Sequence, residues 1–533
     1  MFTARVAVTV LSLALFSCGH GAGRVLSTTC AGFDNRTDIG GTGSVSGSAV
    51  YLKRVIDSGG WTVDVVSTPI RFARTEVVSC VTGAVLGDAL TAADGGYVIA
   101  FTNPRRVGIY VRVLSSAPDY KVSVKRSAGG PLYGVASPAL DDAGAGETLS
   151  LGLAATSEAT SGAFNILDQG VLGAAYLLSV PVILTRDLEW AWYPGSPAGT
   201  SYTSGNPAVI AVSGQADDPD QFDDAVLLHE YGHYVLDIYS KDDSPGGEHR
   251  LNDSSLDLRL AWSEGWASFF SSVVRNDPVH IDTSASGVRL QFELEGPSFA
   301  STTWYDSNEL AVAAVLWDAF DGPGEDPVQV LFSQIWSTIT TLKTDSSATT
   351  ISFEDFWIGW KQAGFPSLTS LTAAFFIELE SDSFETGDDT MLQLISVGST
   401  THHTLYPSGA IPGRMPADID LMQFTAGQTG IYTVETSRCD VVSLSCVAGL
   451  SNGADTVLEV TSNGIVGTSD NFDGKTYGAC GLNCPPNDAQ TLSSRVTFTG
   501  TASTTYRVKV TRSAVAPPSA GDFGSYDLIV TGP

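Results

Sequence analysis

Basic residues are scarce in this chain. Its 533 residues include 28 lysines and arginines against 58 aspartates and glutamates, which gives a formal net charge of −30 and a pI near 4.4. Phosphate binding needs clustered lysine and arginine, so the composition argues against a nucleic-acid partner. Acidity on this scale favours solubility and says little about what the protein binds.

Long apolar runs are also missing beyond the N-terminus, so no later stretch is long enough to span a bilayer. The chain starts with Arg5 and an apolar run from Val6 to Phe16, which predicts a signal peptide over residues 1–17. The segment Leu15 to Cys18 resembles a bacterial lipobox, in which the cysteine becomes the lipidated first residue. We therefore expect an exported protein that is anchored at the bacterial cell surface or outer membrane by lipid on Cys18, or one that is freely secreted.

Cysteine is sparse, with seven in the whole chain. Setting Cys18 aside leaves an even number, which in an exported protein predicts three disulfides; the six are Cys30, Cys80, Cys439, Cys446, Cys480 and Cys484. Proximity in sequence favours Cys439 with Cys446 and Cys480 with Cys484, which leaves Cys30 with Cys80. The alternative is ordinary signal cleavage away from Cys18, with no lipid on that residue.

Histidine is equally scarce, also with seven, yet two of them lie four residues apart beside a glutamate in His229-Glu230-Tyr231-Gly232-His233. The stretch from Phe222 to Asp237 has helical apolar spacing, so both imidazoles lie on one helical face and can converge on one metal ion. A glutamate beside the first histidine can then accept a proton from water as a general base. This motif predicts a zinc site with His229 and His233 as ligands and Glu230 as the base.

A catalytic zinc usually takes a third protein ligand. A metzincin would need glycine and histidine where this chain has Leu236 and Tyr239, so that class is excluded. The best candidate is Glu264, because it is the one charge in the apolar segment from Leu260 to Phe270, where an unpaired carboxylate is costly to bury. The alternatives are that Glu264 is a surface residue, or that His249 or Asp257 takes the third position.

His-Glu-x-x-His followed by a helix with Glu264-Gly-Trp-Ala resembles the gluzincin metallopeptidases, whose third zinc ligand is a glutamate on the next helix. The resemblance implies that His229, His233 and Glu264 bind one zinc ion and that Glu230 is the general base. One position departs from thermolysin-like members, which have an aspartate where this chain has Ser268. A serine can accept a hydrogen bond from an imidazole N–H but supplies no charge. The closer resemblance is to secreted bacterial peptidases that share the Glu-Gly-Trp segment.

The length and the mean hydropathy of +0.10 indicate a folded protein of about three domains. Residues from about 40 to 150 alternate apolar and polar residues between glycine turns, which predicts a β-sandwich domain over residues 18–150. Thr91 to Phe101 resembles the turn and strand of carboxypeptidase regulatory-like domains. The segment from Gly146 to Thr160 indicates a linker.

Residues 155–395 are predicted to form a zincin domain, which makes the whole chain α+β. Helical spacing predicts five helices besides the two that carry the motif: Phe164–Leu178, Asn308–Phe320, Val328–Leu342, Phe353–Gln362 and Ser367–Glu380. The strand Pro207–Ser213 precedes the motif helix and is expected to edge the cleft and to pair with extended peptide.

Residues 403–533 return to a β pattern that resembles a bacterial pre-peptidase C-terminal domain, a second sandwich. Four aspartates there are candidates for a Ca²⁺ site, although ordinary aspartate-rich turns explain them as well; they are Asp418, Asp420, Asp470 and Asp473.

Two functions follow from these patterns. The first is a zinc-dependent endopeptidase that acts on protein or peptide, with Tyr305 as one possible donor to the transition-state oxygen. The second is a surface protein that binds protein or glycan through its sandwiches around an inactive middle domain. We predict that His249 is a surface loop residue that can also contact substrate. His280, His402 and His403 are predicted to face solvent.

Overall fold

The computed structural model describes residues 26–27, 30, 40–105, 107–141, 143, 146–196, 199–247, 249–251, 256–295, 308–322, 328–344, 352–368, 371, 392–405, 419–437, 456–470, 494–512 and 524–533. The chain divides into two compact units. Unit 1 comprises Met1–Val55 and Val63–Val171, and unit 2 comprises Ile56–Thr62 and Leu172–Pro533.

Among the described residues up to 155, the regular elements are strands and one short 3₁₀ turn. The strands described there are β1 (Leu26–Ser27), β2 (Gly41–Asp57), β3 (Gly60–Pro69), β4 (Arg74–Ser79), β5 (Val85–Leu90), β6 (Gly96–Asn103), β7 (Ile109–Leu114), β8 (Ser116–Ala117), β9 (Val122–Lys125), β10 (Gly134–Ala136), β11 (Ala139–Leu140), β12 (Thr148–Ser150) and β13 (Leu153–Ala155).

Two sheets account for most of these strands. One has the order β1-β11-β7-β4-β5, with β10 beside β7, and in the other β2 pairs with β3, β6, β12 and β13. Alternate residues of β6 and β7 are buried, as the apolar alternation in the sequence predicts. Their inward side chains include Ile99, Phe101, Val111 and Val113, all at most 2% exposed. The predicted β-sandwich-like character of this part is confirmed.

The predicted linker is wrong in detail. Residues 146–160 contain β12 and β13, which pair parallel to β2, and the first turn of helix α1 (Glu158–Leu177). The physical reason is that β2, at 17 residues, is long enough to pair with several short strands along its length. The predicted Cys30–Cys80 disulfide is present. Cys18 and the other four cysteines lie outside the described residues.

The middle of the chain combines helices with a small sheet. Its elements are β14 (Leu188–Ala191), β15 (Ser201–Thr203), β16 (Ala208–Ala211), α2 (Asp224–Tyr239), α3 (Leu258–Arg275), β17 (Val279–Ser284), β18 (Gly287–Glu293), α4 (Glu309–Asp321), α5 (Phe332–Thr344) and α6 (Phe353–Gln362). Four of the five helices predicted outside the motif are confirmed within a few residues, and most of Ser367–Glu380 lies outside the described residues. Of the described part, no helix is long and apolar enough to cross a membrane.

One strand prediction needs correction. β16 lies within Pro207–Ser213, but it is flanked on both sides, by β14 in parallel and by β15 antiparallel. Among the strands that the structure describes, β15 pairs only with β16, so β15 is the edge next to α2. The short β15 segment carries little periodic signal, which is why the sequence pattern pointed to its neighbour.

The last part of the chain returns to β-structure in two further sheets. Its strands are β19 (Gln393–Leu394), β20 (Thr400–Leu405), β21 (Ile419–Thr425), β22 (Gly430–Ser437), β23 (Thr456–Thr461), β24 (Ile465–Asp470), β25 (Arg495–Gly500), β26 (Thr505–Arg512) and β27 (Gly524–Thr531). The sheet orders are β19-β21-β26-β23-β24 and β20-β27-β22-β25. One apolar core takes side chains from both sheets, including Phe424, Tyr432 and Val508, so this part is also sandwich-like.

The predicted mixture of helices and β-sheets is therefore confirmed, with sandwich-like parts before and after the helices. The zincin assignment of the middle part and the domain boundaries stay predictions.

Candidate metal centre

Helices α2 and α3 pack in direct contact because two small residues face each other. A Cβ atom built on Gly232 would lie 2.7 Å from the Cα of Ala267, so only glycine permits this approach. The indole of Trp266 donates a hydrogen bond to the carbonyl of Gly232 at 3.1 Å. A second close contact joins α3 to α4, because a Cβ on Gly265 would lie 2.7 Å from the Cβ of Val312. This packing places the motif on α2 opposite Glu264 on α3.

Three ligand atoms meet between these helices. Nε2 of His229 lies 3.1 Å from Oε2 of Glu264 and 3.2 Å from Nε2 of His233. Nε2 of His233 lies 3.4 Å from the same Glu264 oxygen. A tetrahedral zinc with bonds of about 2.0–2.1 Å has ligand atoms about 3.3 Å apart, so the three separations fit one zinc ion.

The other ring nitrogens of both histidines are held by serines of α3. Nδ1 of His229 lies 3.2 Å from the Ser268 hydroxyl, and Nδ1 of His233 lies 3.1 Å from the Ser263 hydroxyl. Ser263 in turn donates to Oδ2 of Asp242 at 2.9 Å. A hydroxyl that accepts the Nδ1–H leaves the Nε2 lone pair facing the ligand cluster, which is the arrangement that a metal requires.

The charge state of Glu264 also suits a cation. Burial by itself raises the pKa of Glu264, but His233 and His229 hold that pKa well below its ordinary value. The Glu264 carboxylate therefore stays ionised beside the two imidazoles. Three electron-rich atoms at these distances repel one another unless a proton or a metal ion lies between them.

Glu230 adjoins this cluster on α2 and is 8% exposed. Burial raises the pKa of its carboxyl, against the opposing influence of His233 and His229. Its carboxylate also receives a backbone hydrogen bond from Tyr202 of the edge strand β15. A poorly solvated carboxylate whose pKa is raised is a better proton acceptor than a solvated one.

His249 is less peripheral than the sequence suggested. Its Nε2 lies 3.7 Å from Oε2 of Glu264 and 3.3 Å from Oε2 of Glu309, and its side chain is 29% exposed. Glu309 is buried at the first residue of α4. The carboxylate of Asp257 caps α3 and pairs with Arg259, and among the described residues the ligand atom that groups with His229 and His233 comes from Glu264. Tyr305 lies outside the described residues.

Two histidines that were expected to face solvent are buried, and that prediction is wrong. His280 on β17 is 6% exposed, stacks on Phe292 at 4.6 Å and lies edge-on to His229 at 6.1 Å. His403 is 7% exposed and stacks on Tyr526. A neutral imidazole packs well against an aromatic ring, and neither histidine has a partner pattern in the sequence that would predict such packing. The side chain of His402 is outside the described set.

The C-terminal aspartates gain no support as a calcium site. Asp420 is buried and accepts a hydrogen bond from the Tyr526 hydroxyl, which explains that residue as part of the sandwich core. The side chains of Asp418, Asp470 and Asp473 lie outside what the structure describes. Calcium at these positions stays a prediction.

Comparison with known proteins gives a partial match. Residues 184–375, a little over a third of the chain, match the family described as "Mycolysin C-terminal domain". This span includes His229, Glu230, His233 and Glu264, and such domains are found in secreted metalloproteases.

A protein of Archaeoglobus fulgidus described as uncharacterized is 36% identical over 103 residues, which cover 19% of this chain and 28% of that protein. Among solved structures, the pre-peptidase C-terminal domain of a Bacillus anthracis collagenase is 10% identical and matches 26% of this chain and 95% of its own, with a TM-score of 0.16. A periplasmic lysozyme inhibitor of Salmonella Typhimurium is 12% identical, with 26% and 99% covered and a TM-score of 0.14. TM-scores this low establish no common fold.

Proposed function

We propose that this protein is a zinc-dependent endopeptidase, exported from the cell, that hydrolyses peptide bonds in protein or peptide substrates. The observation that carries the proposal is the convergence of His229 Nε2, His233 Nε2 and Glu264 Oε2 at 3.1–3.4 Å beside the buried Glu230. The match of residues 184–375 to a domain found in secreted metalloproteases supports the same class of enzyme.

His229, His233 and Glu264 would hold the zinc ion. When bound, zinc supplies Lewis acidity that polarises a peptide carbonyl and lowers the pKa of water. Ser268 and Ser263 keep the two imidazoles turned toward Glu264 through their Nδ1 atoms. Because both serines lie on α3 with Glu264, a single helix positions one ligand and orients the other two.

Glu230 is the general base of the proposed reaction. It accepts a proton from the attacking water and passes that proton to the leaving amine, so that one carboxylate serves both steps. Its hydrogen bond from the backbone of Tyr202 ties it to β15. Among the described strands β15 pairs only with β16, and an extended peptide that adds to the other side of β15 would lie alongside this carboxylate, which suits cleavage within a chain.

His249 is our candidate for stabilising the anionic oxygen that forms on the scissile carbonyl. Its Nε2 lies 3.7 Å from Oε2 of Glu264 and 3.3 Å from Oε2 of Glu309, and its Nδ1 lies 3.1 Å from the carbonyl oxygen of Gly247. The imidazole therefore borders the ligand cluster, and its Nε2–H would turn from Glu309 to the anionic oxygen. Tyr305 remains the alternative donor.

The experiment that tests this function compares Glu230→Gln with wild type. The substitution keeps size and hydrogen bonding but removes basicity, so zinc content and folding should be retained while casein or peptide hydrolysis falls by about a thousandfold or more. Glu264→Ala should instead reduce bound zinc. Glu293→Gln is the matched control, because Glu293 is an exposed residue of β18 and should leave activity unchanged.

Two outcomes contradict the proposal. If Glu230→Gln hydrolyses substrate as fast as wild type, Glu230 is not the base. If zinc-loaded wild type hydrolyses nothing, the middle domain is an inactive scaffold. That result would favour the alternative function, a surface protein that binds protein or glycan through its sandwiches.

Export and lipid attachment are part of the same proposal. The Cys30–Cys80 disulfide is typical of an oxidising compartment outside the cytoplasm. Mass spectrometry of the mature N-terminal peptide checks whether Cys18 carries lipid; a mature chain that starts downstream of it would be freely secreted.

A further inference from the structure

A second group of carboxylates lies next to the start of α2. Asp218, Asp220 and Asp282 each offer an oxygen, and these atoms all lie within 4.8 Å of one another. Asp220 begins the 3₁₀ turn Asp220–Phe222 that leads into α2, and Asp282 belongs to β17. The group therefore joins the entry of the motif helix to the β17–β18 hairpin.

Two oxygens in this group are buried without a hydrogen-bond partner. Asp220 is 3% exposed, and its Oδ2 accepts from the Thr200 hydroxyl while its Oδ1 has no partner among the described residues. The Oδ1 of Asp282 is buried and unpartnered in the same sense. A buried carboxylate oxygen is normally hydrogen-bonded or bound to a cation, so two buried oxygens without a hydrogen-bond partner in one acidic group favour a cation-binding site.

The neighbouring charges do not neutralise the group. Nη1 of Arg289 lies 2.7 Å from both oxygens of Asp218 and 3.7 Å from Oδ2 of Asp282, and its side chain is 56% exposed. Within the described residues, no ion pair reaches Asp220. The carboxylate of Asp223 accepts hydrogen bonds from Thr283 and from the Trp61 indole. When all three carboxylates are ionised, they and the one guanidinium leave a charge of about −2, which one divalent cation cancels.

The pKa values of Asp220 and Asp282 agree with a site that binds a cation. Burial raises the pKa of Asp220 to about 8, and Asp223, Asp282 and Asp218 add to the effect. Burial raises the pKa of Asp282 to about 7, with further contributions from Asp223 and Asp218, although Arg289 opposes the rise. In the absence of a cation, Asp220 and Asp282 are therefore partly protonated near neutral pH.

We propose that Asp218, Asp220 and Asp282 bind one calcium ion. The ligands are carboxylate oxygens with no histidine or cysteine in the group, which favours a hard cation over zinc. Calcium accepts six to eight oxygens in irregular geometry, whereas magnesium requires a near-ideal octahedron. This site shares no residue with the zinc ligands, so the proposal stands or falls independently of the peptidase function.

Calcium at this position would hold the hairpin against the start of α2. Asp223 already ties the two elements together, because its carboxylate accepts from the backbone N–H of Thr283 at 2.6 Å. The same hairpin carries His280, whose ring lies 6.1 Å from that of His229. We therefore expect calcium to stabilise the wall of the metal centre without contacting the zinc ligands.

The test is calorimetric titration of CaCl₂ into zinc-loaded full-length protein that has been freed of calcium, with thermal unfolding in parallel. Wild type should bind one calcium ion at Asp218, Asp220 and Asp282, and its Tm should rise by several degrees at saturating calcium. Asp220→Asn and Asp282→Asn should each weaken binding at least tenfold and lose most of the Tm rise. Asp220→Asn can still accept from Thr200, and Asp282→Asn provides a second variant if the first folds poorly.

Asp217→Asn is the matched control, because it removes the same charge from an exposed neighbour in the same loop and should bind calcium as wild type does. The proposal is overturned if wild type shows no calcium-dependent Tm rise, or if Asp220→Asn and Asp282→Asn bind calcium as tightly as wild type. The latter result would place calcium elsewhere in the chain. An equal Tm rise with MgCl₂ would also contradict the choice of calcium.

Discussion

Gly232→Ala is the sharpest perturbation of the metal centre that leaves every ligand in place. Gly232 lies within the His-Glu-x-x-His motif, and its missing side chain lets α2 touch α3. An added Cβ would lie 2.7 Å from Cα and 3.1 Å from the carbonyl oxygen of Ala267. Both are backbone atoms, so no rotation of a side chain relieves the contact. The helices must separate by about 1 Å to restore an ordinary contact of roughly 3.5–4.0 Å.

That separation matters because the ligands are divided between the helices. His229 and His233 move with α2, while Glu264 moves with α3, and the two histidine–glutamate separations are now 3.1 and 3.4 Å. Metal–ligand distances tolerate only about 0.2 Å of error, so a shift of this size distorts the site. Overpacking of this kind costs about 1–3 kcal/mol. If that strain falls on the metal complex, zinc affinity drops by about 5-fold to more than 100-fold.

Zinc affinity is measured by competition with a coloured chelator, and thermal unfolding is followed on the same samples. Gly199→Ala is the control, because a Cβ at Gly199 meets no atom within 4 Å. A Gly232→Ala protein that is less stable but binds zinc as tightly as wild type would refute the reasoning, since the spacing of α2 and α3 would then not set the ligand positions.

Two further predictions follow from the site and its surroundings. His249→Ala should lower kcat for peptide hydrolysis by about a hundredfold and leave zinc content unchanged; an unchanged kcat would remove His249 as the oxygen donor. In calcium-free buffer, the free energy of unfolding should fall as pH rises from about 4 to 8. In the folded state the pKa values of Asp220 and Asp282 are about 8 and 7, so both carboxyls keep protons in this range that they have released in the unfolded state. Denaturant unfolding across this range should show a slope that saturating calcium and Asp220→Asn both reduce; a slope that neither changes would count against the assignment to these carboxylates.

The local periodicity of apolar residues was sufficient to predict many of the helices and strands. The predicted helix Phe353–Gln362 matches α6 at both ends, where Ser352 and Asp355 form a capping box. The helix around His229 also follows the prediction, because residues at i and i+4 lie on one face whatever the tertiary context. Glu264 was identifiable as a candidate because it is a single charge in an apolar helix, and burying it needs a partner.

The residues that surround the metal ligands could not be predicted from local periodicity. Ser263 is an ordinary helical serine by sequence, and only the fold brings it within reach of both His233 and Asp242. His280 was expected to face solvent because it has no partner pattern, yet it packs between Phe292 and His229.

The sequence by itself determined the candidate metal ligands and the candidate base: two imidazoles on one helical face, a glutamate beside them, and one carboxylate in an apolar helix. Only the tertiary structure decided the distances, because Gly232 and Ala267 lie 35 residues apart and their contact depends on how α2 and α3 pack. It also brought Asp220 and Asp282 together from separate elements into one acidic group. Helical and strand periods are local properties of the chain, whereas metal sites are built from residues distant in sequence that meet only when the core closes.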